Sequence, residues 1–438
     1  MGKLREVLEH PDELIPLVQM AFAAKRAKVL PKDKSLAFCY DMLNRVSRSF
    51  AVVIQSLPTE LRDAVCLFYL VLRALDTVED DMAVAVDVKV PLLRVFHEKI
   101  YERSWKMSCG YGPYVDLMQQ YPLVTDAFLR LKPMYQKVIA DITRRMGEGM
   151  AEFIEKEVLT VKDYDLYCHY VAGLVGIGLS QLFASSQLES EEFANMEDLA
   201  NHMGLFLQKT NIIRDYLEDI NEEPAPRMFW PKEVWGRYAR RLDAFKAPEN
   251  AAASLGCLNE LVTDALRHAP HSLAYMAKLR DRDVFRFCAI PQVMAIGTLA
   301  LCYNNRGVFT GVVKMRRGET AKYVQQLGTM ADLYQAFDRF AGSIAAQASE
   351  LVNTDKNAKL ALRRAAEIQE ICQKGLEQFP PARKLPQLSC VQVLWKALAY
   401  YGLGYQARAH LPEVWQQCLA YVLIFMLFAY TVLRRAKW

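Results

Sequence analysis

The chain has 438 residues, of which 52% are hydrophobic and 24% charged, and a formal net charge of +4. That composition supports a large buried core, in one large domain or two to three ordinary ones, and excludes disorder as the organising principle. The mild charge gives no footing for nucleic acid, and ten cysteines without a C-x-x-C pair set aside a zinc ribbon or disulfide scaffold in favour of reduced thiols in the cytosol.

In chain order, Met1-Gly2-Lys3-Leu4-Arg5-Glu6 lacks the apolar region of a signal peptide, and Glu6 stands where myristoylation needs Ser or Thr. Apolar residues then recur at helical spacing through most of 35–375, as in 61–75, 134–155, 163–185, 196–220 and 257–280. Strand-like alternation is scarce, and Pro58, Pro113, Pro122, Pro133, Pro224 and Pro226 punctuate between segments. The pattern predicts an all-α catalytic domain over 1–375. A proline-containing linker is expected over 376–412, with Gln378-Phe379-Pro380-Pro381 at its start, and a membrane anchor over 413–438. The stretch 414–433 carries no charged residue, and twenty residues at ~1.5 Å each span ~30 Å, the thickness of a bilayer core. It reads as a tail anchor that leaves the bulk of the protein cytosolic. The basic Arg434, Arg435 and Lys437 pull mildly the other way under the positive-inside rule.

Two acidic clusters share one pattern, D-x-x-E-D. The first is Asp76, Glu79 and Asp80; the second is Asp215, Glu218 and Asp219. Positions i, i+3 and i+4 lie on one helix face, so each cluster is expected to aim three carboxylates one way. Both clusters follow apolar runs, and buried carboxylates need partners. Arg73 and Arg214 can each neutralise one charge, which leaves an anionic surplus suited to Mg²⁺. Neither cluster has the twelve-residue glycine-centred loop of an EF-hand. The pattern points to a metal-dependent enzyme acting on a diphosphate. If the diphosphate is allylic, its departure leaves a carbocation that needs a dry pocket with π-faces. Phe50, Phe68, Tyr69, Tyr167, Tyr170 and Phe206 are the aromatic residues expected near it.

Several longer blocks then take on meaning. They are Ser47-Arg48-Ser49-Phe50, the run Phe68 to Asp81, Tyr167 to Gly176, Gly204 to Asp219, Phe229-Trp230-Pro231, Phe287 to Gln292 and Tyr303-Asn304-Asn305. In order and content they resemble the squalene synthase (farnesyl-diphosphate farnesyltransferase) family over roughly 35–375 and in the C-terminal anchor. The stretch Ile220 to Arg227 is of the plant and algal type. The resemblance implies an isoprenoid synthase helical fold with a central cavity. It implies condensation of two farnesyl diphosphates to presqualene diphosphate, then reduction by NADPH to squalene, with the protein anchored in the endoplasmic reticulum membrane beside other sterol-pathway enzymes. Under it, the six clustered carboxylates hold Mg²⁺ and the diphosphates. Arg48, Arg73 and Arg214 grip phosphate oxygens. Ser47, Phe50, Tyr69 and Phe287 line the substrate site, and Tyr170 moves a proton toward the released diphosphate. Asn211, Lys314 and Arg316 belong to the reductive step, the last two meeting the cofactor's phosphates.

The glycines of Gly173-Leu174-Val175-Gly176-Ile177-Gly178 run in the reverse order of a dinucleotide fingerprint and follow a helical pattern, so no Rossmann site is expected there. They are expected to bend a helix or bring substrate near the backbone. His169 and His202 lack a second ligand at metal spacing and read as structural. Three rival readings remain: a phytoene- or dehydrosqualene-type synthase without NADPH, a paralogue with a different product, and a catalytically silent membrane scaffold.

Overall fold

The computed structural model describes residues 9–27, 29–47, 49–223 and 226–380, and the expected anchor at 414–433 lies outside them, as does Arg48. The described residues contain helices and no strands, as the periodicity predicts. They fall into two units. In the smaller, residues 9–23 meet 317–325: Lys322 pairs with Asp12 at 2.5 Å, and the Gln325 amide donates to the Pro16 carbonyl at 3.1 Å. The larger unit, Ala24–Arg316 with Gln326–Pro380, holds all the chemistry considered below.

Its frame is a set of long helices. Helix α1 (Thr59–Asp80) begins after Pro58, buries thirteen of its residues, and ends at Asp81, whose backbone turns extended. The Asp81 carboxylate fixes that exit by accepting from the Ala83 and Gly110 N–H groups at 2.8 and 2.7 Å. Helix α2 (Pro133–Glu155) starts with proline at a position where no N–H is needed. Helix α3 (Val161–Cys168) is opened by a reciprocal Thr160–Asp163 capping box and runs into a π-helical turn, His169–Gly173, then α4 (Leu174–Ser185). Helix α5 (Glu197–Arg214) is followed by the short α6 (Tyr216–Ile220). Further on come α7 (Ala251–Leu266), α8 (Ala269–Met276), α9 (Arg282–Cys302), α10 (Met330–Glu350) and α11 (Ala358–Gln378).

Helix α5 is the spine. It packs against α4, α7, α8 and α9, while α1 and α2 pack on each other and on α4, and α10 and α11 close the far side over α9 and α7. Two glycines permit the closest approach. A Cβ at Gly176 would sit 2.3 Å from the Ala200 carbonyl oxygen, and one at Gly204 would sit 2.2 Å from that of Ala172. The glycine run lies in the π-helical turn and the helix after it, and serves close helix packing.

Two apolar patterns break where a single helix was expected. The stretch 257–280 divides into α7 and α8, with Pro270 in the first turn of α8. The stretch 196–220 divides at Asp215, the C-cap of α5. Helix α9 is long and apolar enough to cross a bilayer, yet 78% of its most apolar window is buried in the protein, which makes it a core helix. The last described helix reaches Gln378, three residues into the expected linker.

Lys209, on α5, is fully buried. Its ammonium pairs with Asp165 at 2.5 Å and with Asp264, and it lies 4.8 Å from the Tyr164 ring centre. Arg267 completes the group on Asp165 and Asp264. One buried cation thus fastens α3, α5 and α7 together. Lys209→Met should lower the unfolding free energy by about 3 kcal/mol, because two carboxylates lose their buried partner. A urea midpoint unchanged from wild type would show that the cluster contributes nothing net.

Candidate active site

Helix α1 places Asp76, Glu79 and Asp80 at its C-terminal end, as the spacing predicts. Arg73 pairs with Asp76 at 3.3 Å, one turn back, and its guanidinium lies 5.7 Å from the Tyr69 ring centre and 5.9 Å from that of Tyr114. Burial pushes the Asp76 carboxyl up to about 6 even with Arg73 opposing it. Burial also pushes Glu79 up to about 8, against the pull of Arg227. The buried Lys89 ammonium donates to the Glu79 carbonyl oxygen at 2.7 Å, which ties the helix end to the next helix.

The second cluster differs from the expectation of one continuous helix face. Asp215 caps α5 with φ −90° and ψ 11°, and Glu218 and Asp219 ride on α6. The Asp219 N–H still donates to the Asp215 carbonyl at 2.9 Å, so the turn stays compact. Arg214 makes a two-pronged contact with Asp215 at 2.7 and 2.6 Å. Glu218 is exposed, and neither it nor Asp219 has an ion-pair partner among the described residues. Burial, then the neighbouring Asp215, Glu222 and Glu218, push Asp219 up to about 7.

Arg227 joins the two clusters. Its guanidinium donates to both Glu79 oxygens at 2.6 and 2.8 Å and to Asp80, while its backbone N–H donates to the Asp219 carbonyl at 3.1 Å. Spacing could not have found it, because 147 residues separate it from Asp80. Three arginines therefore contact four of six carboxylates. The donor set is hard oxygen throughout, which fits a cation such as Mg²⁺. Among the described residues no three of these carboxylates bring ligand oxygens within 4.8 Å of one another. The fit is that of an ion held by one or two carboxylates with the remaining positions left to water and substrate oxygens, the habit of Mg²⁺.

Tyr170 sits in the π-helical turn, half-buried, and its ring lies over Gly149 so closely that a Cβ there would come within 2.0 Å. Its hydroxyl donates to Glu152 at 3.3 Å. Burial, then Glu152, raise the phenol above its ordinary range. Aromatic rings run from it back to the arginine bridge: Tyr170 meets Phe153, Phe153 meets Tyr167, and Tyr167 stacks on Phe229 at 4.0 Å. The Arg227 guanidinium lies 5.7 Å from the Phe229 ring centre. Glu152 and Phe229 are site residues that helical periodicity alone does not single out.

The remaining expected residues divide. Phe50 is exposed and faces Tyr69, ring centres 6.4 Å apart. The Ser47 hydroxyl donates to the Leu43 carbonyl at 2.7 Å and caps its helix. Asn211 is exposed on α5, one turn before Asp215. Phe287 is buried on α9, edge-on to Phe183 at 6.1 Å. Phe68 and Phe206 are fully packed core. Lys314 and Arg316 are exposed in the irregular segment after the turn Arg306–Phe309. His169 bonds Asn201 at 2.8 Å, as a structural histidine would. His202 does not stand alone: Asp198 and His271 join it.

Residues 43–319 match the squalene/phytoene synthase family model. The chain is 58% identical to the squalene synthase LSS of Botryococcus braunii over 96% of this chain and 92% of that protein. It is 54% identical to the lycopaoctaene synthase of the same organism, over 93% and 92%. The solved complex of TcSQS with the ligand E5700 superposes with a TM-score of 0.76 at 48% identity, covering 78% of this chain and 99% of that one. The chain belongs to the squalene/phytoene synthase family. It has that family's all-α isoprenoid synthase fold and is a transferase of the squalene synthase type.

The raised carboxyls make a pH signature. Asp219 begins from an ordinary value of 3.8 and is held up to about 7 in the fold. Below about pH 4 its contribution to stability is complete, and it is lost as pH rises through about 7, because the unfolded chain releases the proton first. Metal-free Asp219→Asn should therefore gain on wild type between pH 5 and pH 8, by on the order of 1–2 kcal/mol after solvent screening. Parallel urea midpoints across that range would refute the shift.

Proposed function

We propose that this protein joins two farnesyl diphosphates head to head into presqualene diphosphate, with loss of one diphosphate and one proton. It then reduces presqualene diphosphate with NADPH to squalene, releasing the second diphosphate. The observation that carries this reading is the pair of acidic clusters drawn together by Arg227, beside an aromatic path to Tyr170.

Bound Mg²⁺ would supply charge neutralisation that makes diphosphate a good leaving group. Asp76, Glu79 and Asp80 on one side and Asp215, Glu218 and Asp219 on the other would supply its ligands, one or two carboxylates to each ion. Arg73 and Arg214, which pair with Asp76 and Asp215, would donate to phosphate oxygens in a planar fork. Arg48, Ser47, Phe50 and Tyr69 would complete the substrate-binding segment. Tyr170 would relay the proton lost on cyclopropane closure. Its Glu152 partner keeps the hydroxyl oriented. Phe287 would offer a π-face to the second cation. NADPH would supply hydride, with Asn211, Lys314 and Arg316 toward it.

The apolar product gives the anchor its rationale. At roughly 0.8 kcal/mol per buried CH₂, a C30 hydrocarbon belongs in lipid. We read 1–375 as the catalytic domain, 376–412 as a linker and 413–438 as a single-pass anchor in the endoplasmic reticulum membrane, with the catalytic domain cytosolic and within reach of other sterol-pathway enzymes. One observation favours a second reading. A relative 54% identical is a lycopaoctaene synthase, so pocket residues can redirect the product within this level of similarity.

Product analysis with farnesyl diphosphate and Mg²⁺ separates the readings. Squalene with NADPH and presqualene diphosphate without it is the expected result. Presqualene diphosphate in both would mean the reductive half is absent. Tyr170→Phe should slow the first step by about 10²–10⁴-fold while diphosphate binding stays Mg²⁺-dependent. Unchanged turnover in that variant would remove Tyr170 from the chemistry.

A further inference from the structure

We propose that Asp198, His202 and His271 form a binding site for one transition-metal dication of the Zn²⁺ class, separate from the acidic clusters. Asp198 and His202 are one turn apart on α5, and His271 lies in the first turn of α8, which packs on α5. One ligand atom from each lies within 4.8 Å of the other two. The His202 Nε2 is 3.9 Å from the Asp198 carboxylate, and the His202 and His271 rings stack at 3.9 Å with 16° between planes.

Two imidazoles and a carboxylate are a nitrogen-rich set that prefers Zn²⁺ to Mg²⁺. Zinc bonds of about 2.0–2.1 Å require the ligand atoms to close up by about 1 Å and the His271 ring to turn out of its stack. Asp198 is 85% exposed, and His271 is exposed too, so these two side chains have room to move toward His202.

A second group is built behind the first. The His202 Nδ1 meets the Nδ1 of His268 at 2.7 Å, and His268 is almost completely buried. One of the two nitrogens must donate. If His202 donates, its Nε2 lone pair faces Asp198 and is free for a metal, the arrangement that orients zinc-binding histidines. The remaining His268 nitrogen, Nε2, is buried without a partner. The nearby Arg267 cation opposes a metal, but its charge is spent on Asp165 and Asp264.

An ion here would staple the N-terminal half of α5 to α8. It lies about 20 Å along the helix from Asp215, so it acts on the frame and leaves the chemistry alone. The test uses the full-length protein in detergent, stripped with chelator and returned to saturating Mg²⁺. Zn²⁺ is titrated against a chromophoric competitor. Wild type should bind one equivalent more than His271→Ala. Asp198→Asn, a change at an exposed position, should weaken that equivalent by about tenfold, and His271→Ala by about 100-fold or more. Co²⁺ in place of Zn²⁺ should give the intense visible bands of a tetrahedral site in wild type, absent in His271→Ala. Zn²⁺ should raise the melting temperature of wild type more than that of either variant. No Zn²⁺ uptake in wild type, or equal uptake in all three proteins, would overturn the proposal. Turnover should be the same in all three without Zn²⁺, which keeps this result independent of the activity assigned above.

Discussion

Like charge brought together out of water is the constraint to which the active end of this molecule answers. Six carboxylates on α1, the C-cap of α5, and α6 would repel one another and loosen the helix ends that carry them. Arg73 and Arg214 each hold one carboxylate, and Arg227 takes two more from the first cluster while its backbone binds the second. The balance is deliberately incomplete. Burial first, and neighbouring carboxylates second, raise the proton affinities of Asp76, Glu79 and Asp219, and the arginines only partly oppose this. Under the proposed function a cation bound with a diphosphate would supply the missing positive charge, a case of stability traded for binding.

The rest of the fold can be read as the frame that tolerates this strain. Helix α5 is fastened at its middle by the buried Lys209 cluster and pressed against the preceding helix through Gly176 and Gly204. With that spine held, Asp215 can sit at a helix break without the two acidic clusters drifting apart. The π-helical turn at His169–Gly173 serves the same end differently. It swings the Tyr170 ring over Gly149 and its hydroxyl onto Glu152, an arrangement that a regular α-turn would not produce at that register.

The relatives sharpen what the fold leaves open. Squalene synthase LSS and lycopaoctaene synthase of the same organism are 58% and 54% identical to this chain over the aligned residues. The two relatives carry different product names at similar identity to this chain, so overall similarity alone does not fix the product. The spine helix carries two separate polar groups, Asp215 at its C-terminal end and the histidine group toward its N-terminal end.

Much of this was legible in the sequence, because helical periodicity and the D-x-x-E-D spacing are local. The all-α class, the first carboxylate face on α1, the Arg73–Asp76 pair and the helical setting of the glycine run all depend on residues within a turn or two of each other. Tertiary structure decided the rest, because those contacts cross long sequence separations. Arg227 reaches back 147 residues to Asp80, and His202 meets His268 across 66. The break at Asp215 and the π-helical turn at Tyr170 depend on packing that no single-helix pattern encodes. Sequence by itself determined which groups would carry charge and on which kind of element. Only folding decided which of those charges would meet, since Coulomb attraction and burial act through space and not along the chain.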